Sequence, residues 1–97
     1  MKTKTEHRME KGLHKIAERI YWNFGDNFGY AFQGDPLTMF VYDFSKLLFH
    51  EQEVLKIRLW QDKFQVFKRQ STGNYRRLTY TSETDVLYSY IKKACNV

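Results

Sequence analysis

The 97-residue chain has one cysteine, one proline and no apolar run near the roughly 20 residues that span a bilayer. A lone cysteine, Cys95, excludes an internal disulfide and points to a reducing compartment, with the cytoplasm as the expected location. The opening MKTKTEHRMEK has lysines but no apolar segment behind them, so it does not read as a secretory signal. Low-complexity tracts, internal repeats and linkers are missing too, and the chain reads as one domain, 1–97.

Catalytic and metal signatures are equally scarce. Gly25, Gly29 and Gly34 make neither a phosphate loop nor a dinucleotide fingerprint. His7 and His14 are seven apart, about 10 Å along a helix, too far for one metal ion to bridge. Glu10, His14 and Glu18 have helical spacing but read as a solvated helix surface. Cys95 has no base beside it in sequence. Asp26, Asp35, Asp43, Glu51 and Glu53 show no spacing that singles out an acid–base pair. The sequence therefore predicts no enzyme, no metal site and no cofactor.

What is present is aromatic and basic. Phe, Trp and Tyr make up 18% of residues, charged residues 28%, and the net charge is +5. The charge is uneven: residues 1–23 sum to +3, residues 24–53 to −4 and residues 54–97 to +6. A basic balance favours acidic partners such as nucleic acid. The acidic middle marks either the far side of the molecule or a surface for a protein partner.

Met9, Leu13, Ile16, Ala17, Ile20 and Phe24 recur at intervals of three and four, predicting an amphipathic helix over 5–24. Gly12 weakens it by roughly 1 kcal/mol relative to alanine. Trp22 points off this stripe, toward a loop or partner. Residues 28–33 and 37–44 read as a hairpin around Gly34-Asp35-Pro36, and its two-sided aromatic pattern predicts a central or covered position. Residues 45–53 read as a helical turn or loop. Ser71 to Asn74 is the clearest turn. A second helix follows, with Ser82 as N-cap and Val86, Leu87, Tyr90, Ile91 and Ala94 as its stripe. The expected core is Leu13, Ile16, Ile20, Val41, Leu55, Ile57, Leu59, Val66, Val86, Leu87 and Ile91.

The most informative run is EVLKIRLWQDKFQVFKR, residues 53–69. Leu55, Ile57 and Leu59 alternate with Lys56, Arg58 and Trp60, so a strand here has an apolar face and a cationic-aromatic face. With Asp62-Lys63 as the turn, Leu59 faces Val66 and Trp60 faces Gln65. Lys56, Arg58, Trp60, Phe67 and Arg69 then share the outer face, joined by one of Arg76 and Arg77, for which we take Arg77.

The expected fold is α+β, an antiparallel sheet of four or five strands flanked by an N-terminal and a C-terminal helix. The element order resembles that of double-stranded-RNA-binding domains. In that family paired lysines open the second helix, whereas Lys92-Lys93 close this one, so the resemblance stops at element order. The functional expectation is a small non-catalytic module that binds nucleic acid through the basic-aromatic face. The alternative is a protein-binding regulator or inhibitor, of the immunity or phage accessory kind, that contacts an acidic protein with that face or uses the acidic aromatic hairpin. A homodimer is expected to bury Phe40, Tyr42 and Phe44, which the helices leave uncovered. No membrane partner is expected.

Overall fold

The apolar stripe of period three to four builds the first element of the computed structural model, which describes residues 3–34 and 37–97. Helix α1 spans Lys4–Asn23, and Thr3 caps it by accepting a hydrogen bond from the Glu6 N–H at 3.1 Å. Five strands follow: β1 (Phe28–Gln33), β2 (Thr38–Asp43), β3 (Glu53–Trp60), β4 (Lys63–Arg69) and β5 (Tyr75–Thr81). Helix α2 (Thr84–Cys95) closes the described chain. The strands form one antiparallel sheet in the order β1-β2-β3-β4-β5, and the α+β class is as expected.

Both helices lie on one sheet face. Met39 and Val41 from β2, Leu55, Ile57 and Leu59 from β3, and Phe64 and Val66 from β4 form one buried cluster with Leu13, Ile16, Ile20, Leu87 and Ile91. Gly12 lets the two helices approach. A Cβ there would stand 2.9 Å from Thr84 Cγ2 and 3.4 Å from Phe64 Cζ. Its weak helix propensity is thus exchanged for close packing against the start of α2.

Several expectations need correction. The turn between β3 and β4 is Gln61-Asp62, one residue earlier than Asp62-Lys63, so Leu59 faces Phe64 and Trp60 faces Lys63. The register moves by two, which preserves every face assignment. Gln61 takes the left-handed conformation at φ 55, which allows so short a connection. The first hairpin is only half interior: β2 lies between β1 and β3, while β1 is a sheet edge. Val86 is exposed, and Tyr88 takes the buried place, with the Arg19 guanidinium 3.6 Å above its ring. The α2 stripe runs through Leu87, Tyr88 and Ile91, and Tyr90 lies outside it. Glu83, rather than Ser82, holds the N-cap position, and its N–H donates to Thr81 Oγ1. Trp22 is 77% exposed and edge-on to Tyr21, so no loop among the described residues covers it.

Residues 45–52 form turns and a short 3-10 segment, Phe49–Glu51, and Glu53 already belongs to β3. The Ser71–Asn74 turn is present, with Gly73 at φ 92 and a hydrogen bond from Gln70 N–H to Asn74 O. Of the predicted Gly34-Asp35-Pro36 turn, Asp35 and Pro36 lie outside the described residues.

Candidate functional site: the outer sheet face

With both helices on one side, the other side of the sheet is left open. Cross-strand pairing places Lys56 beside Phe67, Phe67 beside Arg77, Arg58 beside Gln65, Trp60 beside Lys63 and Arg69 beside Tyr75. All six residues expected on this face are on it: Lys56, Arg58, Trp60, Phe67, Arg69 and Arg77. Arg76 pairs with Lys68 and so faces the helix side.

Cations and rings alternate across β3, β4 and β5. The Arg58 guanidinium lies 5.1 Å from the Trp60 ring centre and 6.0 Å from that of Phe67. Lys56 Nζ is 4.9 Å from Phe67 and 4.8 Å from Tyr75. Lys63 Nζ and the Arg77 guanidinium sit 4.6 and 5.5 Å from Tyr80. These are cation–π separations, so the lattice shields its own rings while concentrating positive charge. Trp60 and Tyr80, at 50% and 51% exposure, are its most accessible aromatics.

Arg58 is positioned rather than free: its Nη2 donates to Gln65 Oε1 at 3.1 Å. Its Nε is buried without a hydrogen-bond partner. A shielded donor of that kind costs free energy, and the cost falls if the guanidinium turns outward to an acceptor.

Glu53 is the acid at the far end of the face. Its carboxylate accepts hydrogen bonds from the hydroxyls of Tyr75 and, at 3.5 Å, Tyr42. Burial, then the neighbouring Glu53, raises the pKa of both tyrosines above the ordinary 10.0. Tyr42 stacks in turn on Phe44, whose ring lies across Gly29 of β1. The face therefore grades from cationic at Trp60 to the single hydrogen-bonded carboxylate of Glu53.

Three members of the lattice escape a reading of alternation. Lys63 belongs to β4 once the turn is moved. Tyr75 and Tyr80 have opposite parity in β5, yet both reach the outer face because a bulge between the Val66–Thr79 and Phe67–Arg77 pairs inserts Leu78. The aromatic-basic composition of residues 75–80 was the available signal; the bulge was not readable from it.

Elsewhere, the loop after β2 presents apolar side chains to solvent: Leu47 is 98% exposed and Phe49 87%. A cavity of about 510 Å³ lies between that loop, the turn after β4 and the end of α2, lined in part by Asp43, His50, Lys68 and Cys95. Burial pushes the Cys95 thiol up to about 11, which makes it a poor nucleophile. Among the described residues no group of three or more His, Cys, Asp or Glu is placed to hold a metal ion, and no helix is long and apolar enough to cross a membrane.

Compared with protein-family models, curated proteins and solved structures, the chain matches none, so the functional reading rests on the chemistry of this face.

Proposed function

We propose that the protein is a non-catalytic nucleic-acid-binding module that receives unpaired strand on the outer face of β3, β4 and β5. The observation that carries this reading is the interleaving itself: five cations, Lys56, Arg58, Lys63, Arg69 and Arg77, among aromatic rings on an uncovered sheet face. Cations neutralise phosphates without regard to sequence, and rings stack on bases that have left a duplex. Trp60 and Tyr80 are the stacking platforms in this reading. Arg58 and Lys56 move off the Phe67 ring toward phosphate, and Arg58 Nε gains an acceptor. The lone Cys95 fits a cytoplasmic setting.

The test is a fluorescence titration of labelled single- and double-stranded DNA and RNA at low and physiological salt. Affinity is expected to fall steeply with salt. Arg58→Ala and Arg69→Ala are each expected to weaken binding and to flatten the salt slope by about one unit. Trp60→Ala is expected to cost about 1–3 kcal/mol for a single strand and less for a duplex. Absence of binding at low salt overturns the reading.

The exposed Leu47 and Phe49 favour a second reading, a regulator or inhibitor that grips a protein through this loop and the neighbouring acidic hairpin, or an acidic protein through the basic face. If the basic face is the one used and the contact is mainly apolar, Trp60 acts as an anchor whose loss abolishes binding with little salt dependence.

A further inference from the structure

The two edges of the sheet differ in a way that points to a partner. Strand β5 carries Arg76 and Arg77, the kind of charge that blocks edge-to-edge pairing. Strand β1, FGYAFQ, carries no charge and no proline over six residues. Among the described residues nothing pairs with its outer side. Uncharged edges of this length are templates for another strand.

The side chains around this edge are aromatic in both layers. Phe28, Tyr30 and Phe32 share the helix-side face, since they pair with Asp43, Val41 and Met39. Phe28 and Phe32 pack against the core, while Tyr30 is left 38% exposed. Helix α1 runs over the same strand, with the His14 ring 4.4 Å from Phe32. Tyr21, seven residues further along, shares that helix flank and is 64% exposed. The open edge therefore continues upward into an aromatic helix flank.

We propose that β1 pairs antiparallel with β1 of a second copy, joining two five-stranded sheets into one of ten strands about a two-fold axis at Tyr30. Keeping the helices of both copies on one side requires paired residues of equal parity. An axis at Tyr30 meets this: Tyr30 faces its own counterpart, Phe28 faces the partner's Phe32, and Gly29 faces the partner's Ala31. Aromatic pairs of this kind stabilise a sheet, and no like charges are brought opposite each other. The charge distribution favours the same edge. The segment 54–97, at +6, supplies the opposite side of the sheet, and β5 lies four strand spacings, roughly 19 Å, from β1. Two chains of net charge +5 therefore meet at the rim away from the +6 segment, on strands of the −4 segment lying under a helix whose segment, 1–23, carries +3. The outer face stays free, unlike in a dimer formed through Phe40, Tyr42 and Phe44, and the two cationic surfaces become one platform.

The test uses the full chain. Sedimentation at tens of micromolar is expected to give a species of twice 11.8 kDa, and Tyr30→Lys, which sets two cations against each other at the axis, is expected to return it to the monomer mass. A Cys95→Ser, Tyr30→Cys variant is expected to form a disulfide-linked dimer on mild oxidation, because directly opposed residues lie within about 4.5–5.5 Å between Cα atoms. A Cys95→Ser, Arg76→Cys variant, on the other edge, is expected to remain unlinked. A native chain that sediments only at 11.8 kDa, or cross-linking at Arg76→Cys equal to that at Tyr30→Cys, overturns the proposal.

Discussion

Single atoms decide two features of this protein. At Gly12 a methyl group would gain about 1 kcal/mol of helix propensity and lose about 1–3 kcal/mol to overpacking against Thr84. Gly12→Ala is therefore expected to lower the urea midpoint, and Gly12→Ala with Thr84→Ser, which removes the opposing Cγ2, to recover most of the loss. A double cycle without coupling would show that the contact is slack. At Tyr75 the hydroxyl is held neutral, first by partial burial and then by its hydrogen bond to Glu53. A raised folded-state pKa contributes stability that is complete below the ordinary tyrosine range and is lost as pH rises through and beyond 10. Native protein is thus expected to lose stability between pH 8 and 11, and Tyr75→Phe to lose less over the same interval. Urea melts of both at the two pH values provide the check. Equal losses would mean that Tyr75 ionises as freely in the folded state as in the unfolded one.

The elements explain what the sequence could and could not tell. Period and parity are local properties, so the α1 stripe and the faces of β3 were legible: Leu55, Ile57 and Leu59 are buried, and Lys56, Arg58 and Trp60 share the opposite side. Features that depend on one irregular residue were not. Gln61 in the left-handed region shortens the hairpin turn without the Gly or Asn that normally announces it. The Leu78 bulge reverses parity in β5 and brings Tyr80 beside Gln65. Tyr88 is buried in place of Val86 because Arg19 of α1 and Phe24, the residue that caps α1 at its C-terminus, receive its ring, a tertiary fact invisible in the α2 stripe alone. Edge or centre was likewise not legible for β1: the hairpin of residues 28–44 is apolar or aromatic on both faces, which suits a covered position, yet β1 occupies a rim. For the outer sheet face, the six residues named from alternation were found together, while Lys63, Tyr75 and Tyr80 required the true turn and the bulge.

At the scale of the whole molecule, the two rims of the sheet bear on what happens when many copies meet. Pairing β1 with β1 uses up the uncharged rim of both chains and stops. Pairing β1 of one copy with β5 of the next leaves a fresh rim at each addition, so growth has no end. Arg76 and Arg77 stand on the strand that would have to accept the incoming β1, and a row of charge there opposes such stacking. On this reasoning they oppose fibre growth even though Arg76 lies off the outer sheet face. Arg76→Val removes that charge and adds a β-branched side chain to the strand. On prolonged incubation at high concentration it is expected to scatter light and bind a fibril-sensitive dye, while the native chain stays clear. If both remain clear, something other than this charge keeps the β5 rim from recruiting further chains.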